Sequence, residues 1–401
     1  MSERETRQGR VPNASAIVPQ LLFCTVFALA LADGRGGLDK ALALDALPQA
    51  DAARAAKAGL DEATMAHVVR RAGELPRLHS LIVARHGTIH LERRFHGPGL
   101  DVPVNVKSVA KAVISALVGA AIDRGLIEGP HQPVVSLLGE TVADAADPRL
   151  QKVTIGHLLS MQSGLERTSG ANYGRWVNSK DWVGYALSRP FVEEPGGRML
   201  YSTGNSHILS AVLTRVSGRS TLDLARAWLA APLGFELPPW DRDPQGIYLG
   251  GNNMLLSPRA LLRVGEMYRN GGIFRGERVL SEAWVRASWT PHTRSFFSGD
   301  GYGYGWFITE ACGHPVNYAR GYGGQFLYVV PSLSLTIVIT SQTATRTRVG
   351  GYYTTLRSDV VGELVAAALR ADAAASGVAE RQNKESGTGT DGSVATTGCG
   401  L

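Results

Sequence analysis

Short blocks of apolar residues separated by turn formers lie near both ends of the chain, whereas its middle carries apolar positions at helical spacing. Leu78 to Phe95 (LHSLIVARHGTIHLERRF) reads as two strands joined at His86-Gly87, and Phe326 to Ser341 (FLYVVPSLSLTIVITS) as two strands joined around Pro331-Ser332. Helical spacing runs through VKSVAKAVISALVGAAIDRG (106–125), IGHLLSMQSG (155–164), NSHILSAVLTRVSG (205–218) and PRALLRVGEMYRNGG (258–272). The last three end at glycine, the residue that most readily closes a helix. A final helix is expected from Thr355 to Leu369. Strands from distant parts of the chain with helices inserted between them predict an α+β fold: an antiparallel sheet flanked by helices, an all-helical subdomain, and a cleft between the two.

The ends of the chain read differently. Arg4, Arg7 and Arg10 precede an apolar run from Leu21 to Ala32 that closes on Ala30-Leu31-Ala32, which makes residues 1–32 a signal peptide and the protein periplasmic or secreted. Glu3, Glu5 and Pro19 fit that pattern poorly and leave an uncleaved membrane anchor or a cytoplasmic helix open. After cleavage no stable membrane span is expected. Residues 33–74 form a linker and one packing helix, with Ala52, Ala55, Ala56 and Leu60 at helical spacing. The folded domain takes 75–371. Residues 372–401, rich in Gly, Ser and Thr, form a disordered tail because they bury too little apolar surface to offset the entropy of ordering.

Composition narrows the function class. The net charge of +6 comes from 41 Lys+Arg against 35 Asp+Glu and is spread along the chain, without the basic, aromatic-interleaved patch that nucleic acid requires. Cys24, Cys312 and Cys399 have neither CxxC spacing nor histidine partners, so no metal and no stabilising disulfide is expected. The ten histidines include no HExxH, and His86 and His90 read as surface positions of a hairpin. Nothing in the chain points to a cofactor.

The candidate chemistry starts at Ser108-Val109-Ala110-Lys111, at the head of an almost wholly apolar helix. Residues three apart share a helix face, so the lysine amine and the serine hydroxyl can meet. A serine near a helix N-terminus has backbone N–H groups that favour an oxyanion, and burial lowers a lysine pKa until the amine can act as a base. The spacing alone is also compatible with a serine followed by an ordinary surface lysine. Against that, Val109, Ala110, Ala112, Val113 and Ile114 surround the charge with apolar groups.

Downstream follow LLSMQSGL (158–165), Tyr201-Ser202-Thr203-Gly204-Asn205, and RGYGGQ (320–325) ahead of a hairpin. With Ser-x-x-Lys, this set over Leu75 to Leu369 resembles the serine beta-lactamase and penicillin-binding-protein superfamily. The order is similar to its class C-like branch, which holds esterases, D-aminopeptidase-like enzymes and 6-aminohexanoate-dimer hydrolases. The resemblance implies a beta-lactamase/transpeptidase-like fold, Ser108 as acyl-forming nucleophile, Lys111 as its base and Tyr201 as the group that shuttles the proton to the leaving group. It further implies oxyanion donors in the Ser108 and Tyr322 N–H groups, and a substrate edge at Gly321, Gly323, Gly324 and Gln325. Trp182 and Asn205 join the candidate binding residues, and the Gly250–Met254 and Tyr302–Trp306 runs are candidate cleft loops.

Departures from the lactamase pattern sharpen the substrate. Thr203 stands where lactamases carry asparagine, and Ala319-Arg320-Gly321 replaces Lys-Thr-Gly, with Arg320 still offering a charge to a carboxylate. The resemblance therefore implies a small-molecule amide or ester rather than a beta-lactam. Two alternatives stand beside it: a non-catalytic sensor or binding domain, and a D-alanyl peptidase or beta-lactamase.

Overall fold

The computed structural model describes residues 59–139, 147–343 and 351–385, with side chains through Gly377. The expected signal peptide, the helix positions Ala52, Ala55 and Ala56, and the end of the expected tail lie outside these residues. Among the described residues no helix is long and apolar enough to cross a membrane.

Asp61 caps α1 (Glu62–Gly73), its carboxylate accepting the Thr64 N–H at 2.7 Å. The packing helix thus starts beyond Leu60, which precedes the cap. The hairpin of β1 (Leu78–Arg85) and β2 (Thr88–Arg94) turns at His86-Gly87, where φ is 50° and 76°, both positive as in the type I′ turn whose twist matches that of the strands. The later strands are β3 (Thr293–Arg294), β4 (Gly301–Tyr302), β5 (Phe307–Ala311), β6 (His314–Gly321), β7 (Gln325–Val330) and β8 (Leu335–Ser341). They join β1 and β2 in one antiparallel sheet of order β2-β1-β8-β7-β6-β5-β4-β3. Val83 lies opposite Ile337, so the first and last hairpins close on each other.

The β5–β6 hairpin is absent from the sequence reading, because Glu310, His314, Pro315 and Asn317 blur its apolar alternation. Its turn, Cys312-Gly313 at φ 50° and 78°, repeats the geometry of His86-Gly87 and was the available signal. Cys312 at this exposed tip is disulfide-bonded, whereas the sequence leads one to expect no stabilising disulfide.

Alternation in the sheet assigns its faces. Phe326, Tyr328 and Val330 of β7 pack with α1 and the C-terminal helix, while Leu327 and Val329 pack toward the helical part. There α2 (Ala110–Asp123) is buried at every position from Ala110 to Ala121, and α3 (Trp182–Leu187) and α4 (Thr203–Ser217) share its core. Against the sheet lies α5 (Pro258–Arg269), which Ser257 caps and whose buried Glu266 accepts the Thr336 hydroxyl of β8 at 2.5 Å.

Two expected helix ends shift. The segment 155–164 is helical only over Ile155–Leu159, since Met161 takes φ 64° and its carbonyl receives the Leu200 N–H. At the other end, helical chain starts at Tyr352 and continues as α6 (Glu363–Glu385), past the boundary expected at 372. Alanines at 371 and 373–375 favour helix, and Asp372 meets the fully buried Arg85 guanidinium at 2.5 Å. A buried cation needs such a partner.

Candidate active site

Ser108 sits in a single 3-10 turn, Lys107–Val109, ahead of α2. Lys107 takes the left-handed conformation, φ 51°, which a non-glycine residue holds only where its surroundings force it. The forcing contacts are visible. The Asn105 side chain accepts the Lys107 N–H at 3.0 Å, and the Asn253 carbonyl oxygen accepts from both the Asn105 amide and the Lys107 amine at 3.1 and 3.0 Å. A two-residue pairing of Val104–Asn105 with Leu255–Leu256 ties these segments together.

Lys111 follows on the same face, as the i, i+3 spacing predicts. Its Nζ lies 3.1 Å from Ser108 Oγ, 3.3 Å from Thr203 Oγ1 and 2.7 Å from the Gly251 carbonyl. The side chain is buried, and no carboxylate reaches it among the described residues. Burial alone pushes the ammonium down to about 7. A neutral amine has two N–H donors and one lone pair, which suits Gly251 and Thr203 as acceptors and the Ser108 hydroxyl as donor.

Tyr201 hydrogen-bonds to Ser108, and Lys111 Nζ lies 4.9 Å above its ring. Phe307 stacks on the same tyrosine, with ring centroids 6.3 Å apart. Burial pushes the phenol up to about 12, against the opposing effects of the hydrogen bond shared with Ser108 and the field of Arg320. At neutral pH the site therefore holds a lysine poised to take a proton and a tyrosine that keeps its own.

Gly321, at the end of β6, shows why this strand carries glycine here. A Cβ would stand 2.4 Å from the Val106 carbonyl and 3.0 Å from Lys107 Cβ, so the strand edge touches the Ser108 turn only without a side chain. The cleft above Ser108 has a volume of about 880 Å³, and Tyr201, Thr203, Gly321 and Tyr322 also line it.

Other expected binding residues are placed elsewhere. Trp182 is buried against Trp176 and His207 and donates its indole N–H to the Val177 carbonyl. Asn205 lies inside α4 and accepts the Ser163 hydroxyl at 3.2 Å. Gln325 is buried and bonds the Ser341 backbone at 2.6 and 3.1 Å, while Gly323 and Gly324 are held by Tyr353 and Ser341. These residues shape the turn that carries Tyr322 and do not line the cleft. Of the Gly250–Met254 run only Asn252 lines it, and none of Tyr302–Trp306 does.

Lys107, Arg167, Ser169, Gly170, Tyr173, Phe297, Phe307 and Thr343 complete the wall without having been anticipated. They come from loops, strand ends and helical turns of three to five residues, too short to show a periodicity. Among the described lining residues every charge is positive: Lys107, Arg167 and Arg320. No cluster of three His, Cys, Asp or Glu side chains suited to a metal occurs among the described residues.

Comparison with known proteins agrees with this arrangement. The family model described as Beta-lactamase matches residues 65–361. The 6-aminohexanoate-dimer hydrolase of Paenarthrobacter ureafaciens is 25% identical over 213 residues, which covers 49% of this chain and 53% of that protein. The match thus spans about half the length of that curated relative. Among solved structures, EstCE1, a hydrolase with promiscuous acyltransferase activity, superposes with a TM-score of 0.60 at 20% identity, covering 79% of this chain and 100% of that one. The octameric penicillin-binding protein homologue from Pyrococcus abyssi gives 0.57 at 17% identity, covering 75% and 77%. The α+β, beta-lactamase/transpeptidase-like fold expected from the motifs is the fold observed.

Proposed function

The chain belongs to the Beta-lactamase family, and we propose that within it this protein is a serine hydrolase that cleaves an amide or ester through an acyl-enzyme on Ser108. The observation that carries the proposal is the Lys111 amine, buried without a carboxylate partner among the described residues, 3.1 Å from the Ser108 hydroxyl. Ser108 Oγ attacks the substrate carbonyl as its proton passes to Lys111 Nζ. The oxyanion lies against the Ser108 and Tyr322 N–H groups. Tyr201 passes a proton to the leaving nitrogen or oxygen, and water then releases the acyl group by the reverse sequence.

The lining of the cleft supports a substrate class. Three cations without an acidic side chain among the described lining residues favour a short acyl compound that ends in a carboxylate. A linear amide such as 6-aminohexanoate dimer has that end, and its relative's name motivates including it. The same described lining offers no carboxylate to a substrate ammonium. Thr203 and Ala319-Arg320-Gly321 remove the side chains with which lactamases grip their substrate, which speaks against beta-lactam hydrolysis as the main activity.

The test combines a nitrophenyl acyl ester, 6-aminohexanoate dimer, a D-alanyl peptide and a chromogenic cephalosporin with parent protein and Ser108→Ala. Ester or linear-amide turnover that disappears in Ser108→Ala, with mass labelling of Ser108, is the expected result. Undiminished turnover in the variant overturns the assignment, and a folded parent that no acylating probe labels favours the non-catalytic alternative.

A further inference from the structure

We infer that the buried His207–Asp243 pair is a positioning device for Lys111, acting through the Gly250-Gly251 turn. The inference rests on the reading of Ser108 and Lys111 as nucleophile and base. It begins from two titratable side chains that the reaction above does not use. Both are fully buried, and His207 Nε2 lies 2.9 Å from Asp243 Oδ2.

The other ring nitrogen fixes the direction of this bond. Nδ1 accepts the Gly250 N–H at 3.3 Å, so the ring carries its proton on Nε2 and donates it to Asp243. Asp243 is itself held, since Oδ1 accepts the Gln245 and Ile247 N–H groups at 2.9 and 2.8 Å. Trp176 and Trp182 pack edge-on against the imidazole at 5.7 and 5.5 Å.

The next residue after Gly250 is the one that matters to the base. Gly251 takes φ 75° and presents its carbonyl to Lys111 Nζ at 2.7 Å, the shortest of the three polar contacts that amine makes. A Cβ on Gly251 would meet Lys111 Cγ at 2.7 Å, and one on Gly250 would meet the Ser206 carbonyl at 2.0 Å. The turn is therefore clamped onto the lysine on one side and hung from the imidazole on the other. A continuous path runs from Asp243 through His207, Gly250 and Gly251 to Lys111. The groups facing the amine are the Ser108, Thr203 and Tyr201 side chains and the Gly251 carbonyl, and none of them carries charge at neutral pH. The carbonyl is thus the principal dipole setting where the amine sits and how readily it keeps its proton.

Asp243→Asn tests this with an isosteric change. The two backbone N–H groups hold the asparagine oxygen, which leaves its NH2 facing Nε2. The imidazole must then accept at Nε2 and carry its proton on Nδ1, against the Gly250 N–H. The turn withdraws, the ammonium form of Lys111 loses its acceptor, and the acidic limb of kcat/KM for a nitrophenyl ester moves to lower pH by about one unit. A fall of roughly tenfold in kcat with KM little changed accompanies it, because the base is held less well.

His207→Asn is the contrast, since its short side chain keeps an acceptor near the Nδ1 position. Its limb stays with the parent even where its melting temperature falls. The pH dependence of Ser108 labelling by an acylating probe gives the same comparison without turnover. If Asp243→Asn does not fold, His207→Phe, which keeps the ring between the tryptophans and removes both hydrogen bonds, carries the same expected shift. A limb superimposable on the parent's in the folded variant, or equal displacement in Asp243→Asn and His207→Asn, overturns the inference. Ser108→Ala runs in parallel: turnover surviving there removes the underlying reading instead.

Discussion

Replacing Lys111 by methionine should abolish turnover and yet stabilise the protein at pH 6. The amine falls from an ordinary value of 10.5 to about 7 on folding, solely through burial. That difference corresponds to about 5 kcal/mol by which folding is disfavoured while the lysine is charged in both states. Methionine has similar length and volume and carries no charge, so it removes this cost. It also leaves the Gly251 carbonyl without its 2.7 Å partner, a loss of roughly 1–3 kcal/mol. The net expectation at pH 6 is a gain of about 2–4 kcal/mol.

The sign reverses with pH. Between about 7 and 10.5 the unfolded parent holds a proton that the folded parent has released, so parental stability rises with pH across this window. By pH 10.5 only the lost hydrogen bond remains, and Lys111→Met is the less stable protein, with the crossover near roughly pH 9. Urea unfolding of both proteins at several pH values, compared at equal m, measures the difference directly. A stability difference that stays constant from pH 6 to 10 refutes the argument, because Lys111 would then titrate as an exposed lysine does.

Four further outcomes follow from the same geometry. The kcat/KM of the parent should rise through an acidic limb near pH 7, as Lys111 loses its proton, and stay level toward alkaline pH because Tyr201 is pushed up to about 12; a pH–rate profile with the limb near 5 contradicts it. Gly321→Ala places a methyl 2.4 Å from the Val106 carbonyl, and should cost about 1–3 kcal/mol of stability and displace the Ser108 turn, read as lost probe labelling in protein that remains folded. Arg320→Gln and Arg167→Gln should each raise KM roughly tenfold for a carboxylate-bearing substrate and leave a neutral ester unaffected, an effect that weakens with added salt; equal changes for both substrates would remove the anion argument. Asp372→Asn removes the carboxylate that meets the fully buried Arg85 guanidinium, and should lower stability by about 2 kcal/mol, less than for a wholly buried pair because Asp372 is itself partly exposed.

The parts of the fold that sequence revealed are those decided over a few residues. Two hairpins could be read because strand alternation and a turn dipeptide lie within one short stretch, and the helix that starts at Pro258 could be read from its apolar spacing. The β5–β6 hairpin escaped because its polar and proline-bearing strands are paired on both sides within the sheet, where neighbours and not pattern determine strand character. The same limit explains Trp182 and Gln325: a tryptophan or a glutamine beside a motif looks like a binding residue until the element that carries it is seen to face inward. Arg167 and Phe297 went unnoticed for the opposite reason, since loops reach the cleft without any spacing rule.

For the reaction itself the division is clear. That Lys111 stands beside Ser108 is a property of one helical turn, and the sequence by itself determined it, together with the order of Tyr201 and the Gly321 edge downstream. Tertiary structure decided everything on which the proposed reactivity of the pair rests. The Thr203 hydroxyl, the Tyr201 ring and the Gly251 carbonyl arrive from positions 92, 90 and 140 residues farther along the chain, and the burial that brings the lysine down to about 7 exists only once α2 is enclosed. Local backbone geometry fixes which side chains share a face, whereas the solvent that surrounds a charge is set by the packing of distant segments.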